Sequence, residues 1–128
     1  MSTPLARSTA YGRQLKENKI LSATPEQLLV HLYDGALRFL RSASEALAER
    51  RIERAHQALR RAERVIRYLD SILKEEPDPQ LAGHLHGLYA FSLRQLNEAR
   101  LSLDPQKVQA VAKVLGELRD AWSQVAER

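Results

Sequence analysis

Thr24-Pro25-Glu26-Gln27-Leu28-Leu29-Val30-His31-Leu32-Tyr33-Asp34-Gly35-Ala36 opens the first well-marked helix of the chain. Thr24 can accept a hydrogen bond from an early helical amide. Pro25 suits the first helical position, where its missing N–H would lack a partner anyway, and Gln27 completes a capping box. Beyond the cap, Leu29, Leu32, Ala36, Leu40, Ala43 and Leu47 recur at spacings of three and four, which draws one apolar stripe along a helix. Leu28, Tyr33, Leu37 and Phe39 widen it.

No Gly or Pro follows Leu47 for many residues, so one very long helix is the first thing to test. Its phase fails. Continuing the stripe would put Arg50 or Arg51, Arg54 and Gln57 in the core, whereas the apolar residues resume as Ile52, Ala55, Leu59, Ala62, Ile66, Leu69 and Leu73. A turn near Glu49 to Arg51 restores the register. The second helix ends around Glu75, because Pro77 and Pro79 each lack a donor and push the preceding residue out of helical geometry. A third helix carries Leu81, Leu85, Leu88, Tyr89, Leu96 and Ala99 and stops near Leu103. Asp104 and Pro105 announce a fourth, as cap and first helical residue, with Val108, Val111, Leu115, Leu118, Trp122 and Val125 as its stripe.

Four helices of roughly 20 residues, about 30 Å each, joined by connections of a few residues, must run antiparallel to their sequence neighbours. The predicted fold is all-α: an up-down-up-down four-helix bundle over residues 23–128, preceded by a short N-terminal arm or cap helix over 1–22. That arm is polar, with isolated Leu5, Tyr11, Leu15, Ile20 and Leu21, and packs only conditionally. The stripes predict that Leu29, Leu32, Leu40, Leu59, Ile66, Leu85, Leu115 and Leu118 are buried. Trp122, in line with Leu115 and Leu118, should pack against the bundle.

Composition agrees. The 128 residues hold 44% hydrophobic residues, enough for one core, with only 5 Gly and 5 Pro and no Cys. Without cysteine there is neither a disulfide framework nor a thiolate metal site, and a reducing, cytoplasmic location is expected. The N-terminus lacks the apolar stretch of a signal peptide, and no run of about 18 apolar residues suggests a membrane span or stable membrane insertion.

The net charge of +4 and pI near 9.7 invite an acidic partner. Between Arg50 and Lys74 eight basic side chains face three acids, so the excess sits on the second helix. An Arg-rich helical nucleic-acid-binding module is therefore the alternative function. Interleaved acids and scarce aromatics weigh against it, and a solvated helix face is the simpler reading. Glu53-Arg54-Ala55-His56 is a single Glu-x-x-His motif. A di-iron bundle needs two, with carboxylates from the other helices, and Glu53 points away from the stripe. His84 and His86 fall on different sides of a helix, and His31 is isolated. With no strained nucleophile turn and no Gly-rich phosphate loop, the sequence points to no enzyme, no metal and no cofactor.

More telling is a surplus of apolar residues. Val65, Tyr68 and Ile72 on the second helix, and Leu88, Phe91 and Leu93 on or beside the third, exceed what one stripe needs. They either widen the core or line a groove for a partner helix. Gly83 and Gly87 give the third helix small surfaces at a spacing of four, as Gly35 does for the first, each at roughly 1 kcal/mol of helix stability relative to Ala.

Ser22-Ala23-Thr24-Pro25-Glu26-Gln27-Leu28 followed by Leu32-Tyr33-Asp34-Gly35-Ala36 resembles the signature of the flagellar secretion chaperone family FliS. Ala10-Tyr11 resembles its N-terminal Tyr motif. Arg61-Ala62 with Val65-Ile66 and Leu69 is similar to its second helix, and Leu88-Tyr89-Ala90-Phe91 with Arg94 and Leu96 to its third. Ala121-Trp122 falls at its near-terminal Ala-Trp. The chain departs from the pattern at Ala90, where Asp is usual, at Ser92, where Met is usual, and at Ala99-Arg100, which replaces Ala-Asn.

The resemblance implies a cytosolic chaperone that binds the disordered C-terminal segment of flagellin, blocks premature polymerisation and helps deliver it to the flagellar type III export gate. It also leaves room for a homodimer when the client is absent. The expected partner-binding residues are Val65, Tyr68, Ile72, Leu88, Phe91 and Leu93, with Tyr11 on the arm as a displaceable lid or a contact for the export gate protein.

Overall fold

The computed structural model describes residues 23–127. Four helices fill them: α1 (Pro25–Ala48), α2 (Ile52–Ser71), α3 (Pro79–Ser102) and α4 (Pro105–Ala126). A 3₁₀ turn, Ile72–Glu75, extends α2, and no strand occurs among the described residues.

Each start is fixed by side-chain chemistry. At α1 the Gln27 N–H donates to Thr24 Oγ1 at 3.1 Å and the Thr24 N–H to Gln27 Oε1 at 2.9 Å, a complete capping box. Asp78 accepts from the Gln80 and Leu81 amides, and Asp104 from the Gln106 amide, each with a proline at the first helical position.

The turn between α1 and α2 has no glycine, yet it closes as a glycine-type cap. The Arg51 N–H donates to Ala46 O at 2.8 Å and the Arg50 N–H to Leu47 O at 3.1 Å, with Arg50 held at φ 62°. Leu103, between α3 and α4, also adopts the left-handed conformation, at φ 54°. These turns break the helices where the apolar phase slips.

Cross-helix bonds fix the antiparallel register. Gln109 on α4 donates to Ser44 late in α1 at 3.1 Å, while Arg119 late in α4 donates to Asp34 early in α1 at 2.9 Å. Between α2 and α3, Arg100 donates to both carboxylate oxygens of Glu63 at 2.7 and 2.8 Å, and His86 pairs with Asp70 at 2.7 Å. The helix α1 packs extensively on α2 and α4, and α3 completes the ring more loosely.

The core collects Tyr33, Ala36, Leu40 and Leu47 from α1, Leu59, Ile66 and Leu69 from α2, Leu85, Tyr89 and Leu96 from α3, and Val108, Val111 and Leu115 from α4. Each fully buried leucine contributes about 1.5–3 kcal/mol relative to exposure. Leu40, Leu59, Ile66, Leu85 and Leu115 are buried as their stripes require. Leu29, Leu32 and Leu118 depart from expectation: they are half-buried, packed against the core without being enclosed by it. Trp122 is half-buried too and packs on the core. The stripes continue to the helix ends, but at the end where α1 begins and α4 finishes the bundle does not close over them.

Candidate functional site: an apolar cleft at the open end of the bundle

The half-closed end is a cleft of about 380 Å³. Leu28, Leu29 and Leu32 from the first turns of α1 form one wall, and Tyr68, Ile72 and Leu73 from the end of α2 and its 3₁₀ extension form the other. Leu85 and Tyr89 of α3 and Trp122 of α4 make the floor. Carboxylates from Glu26, Glu75 and Glu76 stand at the rim. Leu28 is 37% exposed and Tyr68 54%, so the walls are apolar surface facing water at the mouth of a concave site.

Beneath the floor, the hydroxyls of Tyr33 and Tyr89 hydrogen-bond to each other across the core, joining α1 to α3. Both phenols are held above their ordinary range, chiefly because burial disfavours the phenolate; for Tyr33, the hydrogen bond with Tyr89 acts in the opposite direction. Neither can serve as a base at neutral pH. Their role is to brace the floor.

Several motif residues prove to hold the fold. Tyr33 spans the core, and Asp34 binds Arg119 on α4. Arg100, at a departure from the family pattern, forms its two-pronged ion pair with Glu63 on the inner edge of α2. Ser92, at another, is wholly buried and donates its hydroxyl to Leu88 O at 2.8 Å within its own helix. Gly83 and Gly87 lie on the solvent side of α3, where an added Cβ would touch nothing.

The six residues expected to form one groove are not brought together. Glu63 and Asp70 mark the flank of α2 that faces α3, and the stripe of Val65, Tyr68 and Ile72 runs along the opposite flank, toward α1. Tyr68 and Ile72 therefore enter the cleft, and Val65, half-buried, follows them along the same flank. On α3, Leu93 stands seven residues from both His86 and Arg100 and so belongs to the α2 seam. Leu88 and Phe91, half-buried, lie on the far flank. Tyr11 lies outside the described residues.

The α1 wall and Trp122 were missed as site residues because their periodicity matches that of core positions. Their position at the helix ends, with Pro25 opening α1 and Trp122 in the last turns of α4, was the available signal.

Among the described residues no group of three or more metal-ligating side chains is gathered, and no helix is long and apolar enough to cross a membrane. The Glu53–His56 motif builds no centre there; His56 Nε2 is buried without a hydrogen-bond partner.

The family model described as "Flagellar protein FliS" matches residues 7–128. Relatives named flagellar secretion chaperone FliS include that of Salmonella typhimurium strain LT2, 31% identical over 120 residues, covering 93% of this chain and 89% of the relative. Those of Escherichia coli K12 and Bacillus subtilis strain 168 are 30% and 29% identical, covering 90% and 93% of this chain and 85% of each relative.

Proposed function

Because the chain belongs to the FliS family of flagellar proteins, we propose that it is a cytoplasmic export chaperone for flagellin, and that the cleft at the open end of the bundle receives an apolar helical turn of the disordered flagellin C-terminal segment. The relatives are flagellar secretion chaperones, and a chaperone needs a binding surface rather than a reacting centre. The observation that carries the reading is the pairing of exposed Leu28 and Tyr68 across a concave apolar site that the fold leaves open.

An apolar turn seated there would cover the leucines of α1 and stack on Tyr68 and Trp122. Folding on binding costs about 2–5 kcal/mol of the interaction, which keeps the complex reversible for handover to the export gate. A tail that stays extended beyond the cleft can run on to Val65 along α2, while Leu88 and Phe91 offer it a second apolar strip on the far side of α3. The arm joins the fold at Pro25, on the rim of the cleft. Tyr11, on the arm ahead of α1, serves in this reading as a displaceable lid or as a contact for the export gate protein.

Titration of a flagellin C-terminal peptide by calorimetry tests this. Tyr68→Asp sits at an exposed position and should leave the melt nearly unchanged while abolishing binding. Unaltered binding by a folded Tyr68→Asp protein would place the client elsewhere.

A further inference from the structure

The solvent face of α2 carries arginines that the fold does not use. Arg54, Arg60, Arg61, Arg64 and Arg67 are all exposed, and among the described residues none is within ion-pair distance of a carboxylate. The acids of α2 are committed elsewhere: Glu63 to Arg100 and Asp70 to His86, both on the α3 side. Glu53 is the lone acid left among the arginines.

Their spacing makes two rows on one side of a rigid helix, Arg54 with Arg61 and Arg60 with Arg64 and Arg67, over a length of about 20 Å. The face has no apolar centre, which a folded protein partner would need as its anchor. It has no cleft between its rows and a single exposed aromatic, Tyr68, at their end, too little to stack a run of bases, and a convex helix against a convex duplex reaches few phosphates. A flat layer of phosphates meets both rows at once, and the arginine fork suits each of them.

We propose that this face docks the protein reversibly, by charge alone, onto an anionic phospholipid surface, with α2 lying along the plane. The attraction of each basic residue to such a surface corresponds to roughly fivefold in partitioning, and it fades within a Debye length. None of the five arginines lines the cleft, although Tyr68 at the end of their rows does, so vesicle binding by the arginines and peptide binding by the cleft are read separately.

The test is co-sedimentation of the full chain with phosphatidylcholine vesicles, with and without phosphatidylglycerol, at low and raised salt. The wild type should sediment with the phosphatidylglycerol vesicles alone and be released by salt. Arg60→Glu with Arg64→Glu should weaken this by roughly a hundredfold or more. Arg94→Glu with Lys113→Glu, an equal charge change at exposed sites on α3 and α4, should weaken it far less. Circular dichroism checks folding, and Arg60→Gln with Arg64→Gln replaces the first pair if it unfolds. Equal losses in the two pairs, or no preference for anionic vesicles, would overturn the proposal. Tighter binding to single-stranded RNA at the same salt would assign the face to nucleic acid instead.

Discussion

Replacing Tyr89 by Phe removes one hydroxyl from the centre of the bundle and leaves the packed shape intact. Its partner, the Tyr33 hydroxyl, belongs to a side chain with 0% exposure and cannot turn to water. Stranding a buried polar group costs about 1–3 kcal/mol, which in a domain of this size lowers the melting temperature by roughly 4 °C per kcal/mol. Tyr33→Phe should cost a similar amount, because it strands the Tyr89 hydroxyl, which is 2% exposed. The double variant removes both hydroxyls together and strands neither. Its cost should therefore fall short of the sum of the singles by about 1–2 kcal/mol. Urea unfolding of the four proteins closes the cycle. If the single costs simply add, the hydroxyls are not coupled and the brace beneath the cleft floor does not exist.

The same pair sets an alkaline limit: the folded state keeps protons that unfolded tyrosines lose near pH 10, so stability should hold below that pH and fall above it, with a shallower fall in either Phe variant. Thermal melts at a series of pH values show it. Arg100→Ala leaves the Glu63 carboxylate, 12% exposed, without its partner and should cost about 1–2 kcal/mol by urea unfolding, less than for a fully buried pair because both ends keep some water. Arg50→Gly relieves a left-handed residue at the turn after α1 and should stabilise by up to about 1 kcal/mol in the same assay, after the looser unfolded chain is counted. Gly87→Ala should stabilise by about 0.5–1 kcal/mol, since its Cβ meets nothing; a variant that melts higher but binds flagellin peptide less well would show a partner pressed against that glycine.

The four helices were legible because their boundaries are chemical. Thr24 with Pro25 and Gln27, and Asp104 with Pro105, mark starts that survive any tertiary context, and the slip in phase after Leu47 locates a turn that contains no glycine. The site was legible only in half. Periodicity places Val65, Tyr68 and Ile72 on one flank of α2, but it does not say which helix that flank faces. Long-range pairs, Glu63 with Arg100 and Asp70 with His86, decide that α3 takes the other flank. Leu29 and Leu32 likewise read as core, because a stripe gives no sign that the bundle stays open at their level.

Trp122 is the sole tryptophan of the chain and lines the cleft, so its emission reports directly on whether the site is filled. Titrating the protein with a tryptophan-free flagellin C-terminal peptide should shift that emission to the blue as water leaves the indole, with the same midpoint that calorimetry gives. Heat of binding with an unchanged Trp122 spectrum would show that the client docks elsewhere and that the cleft is not its site.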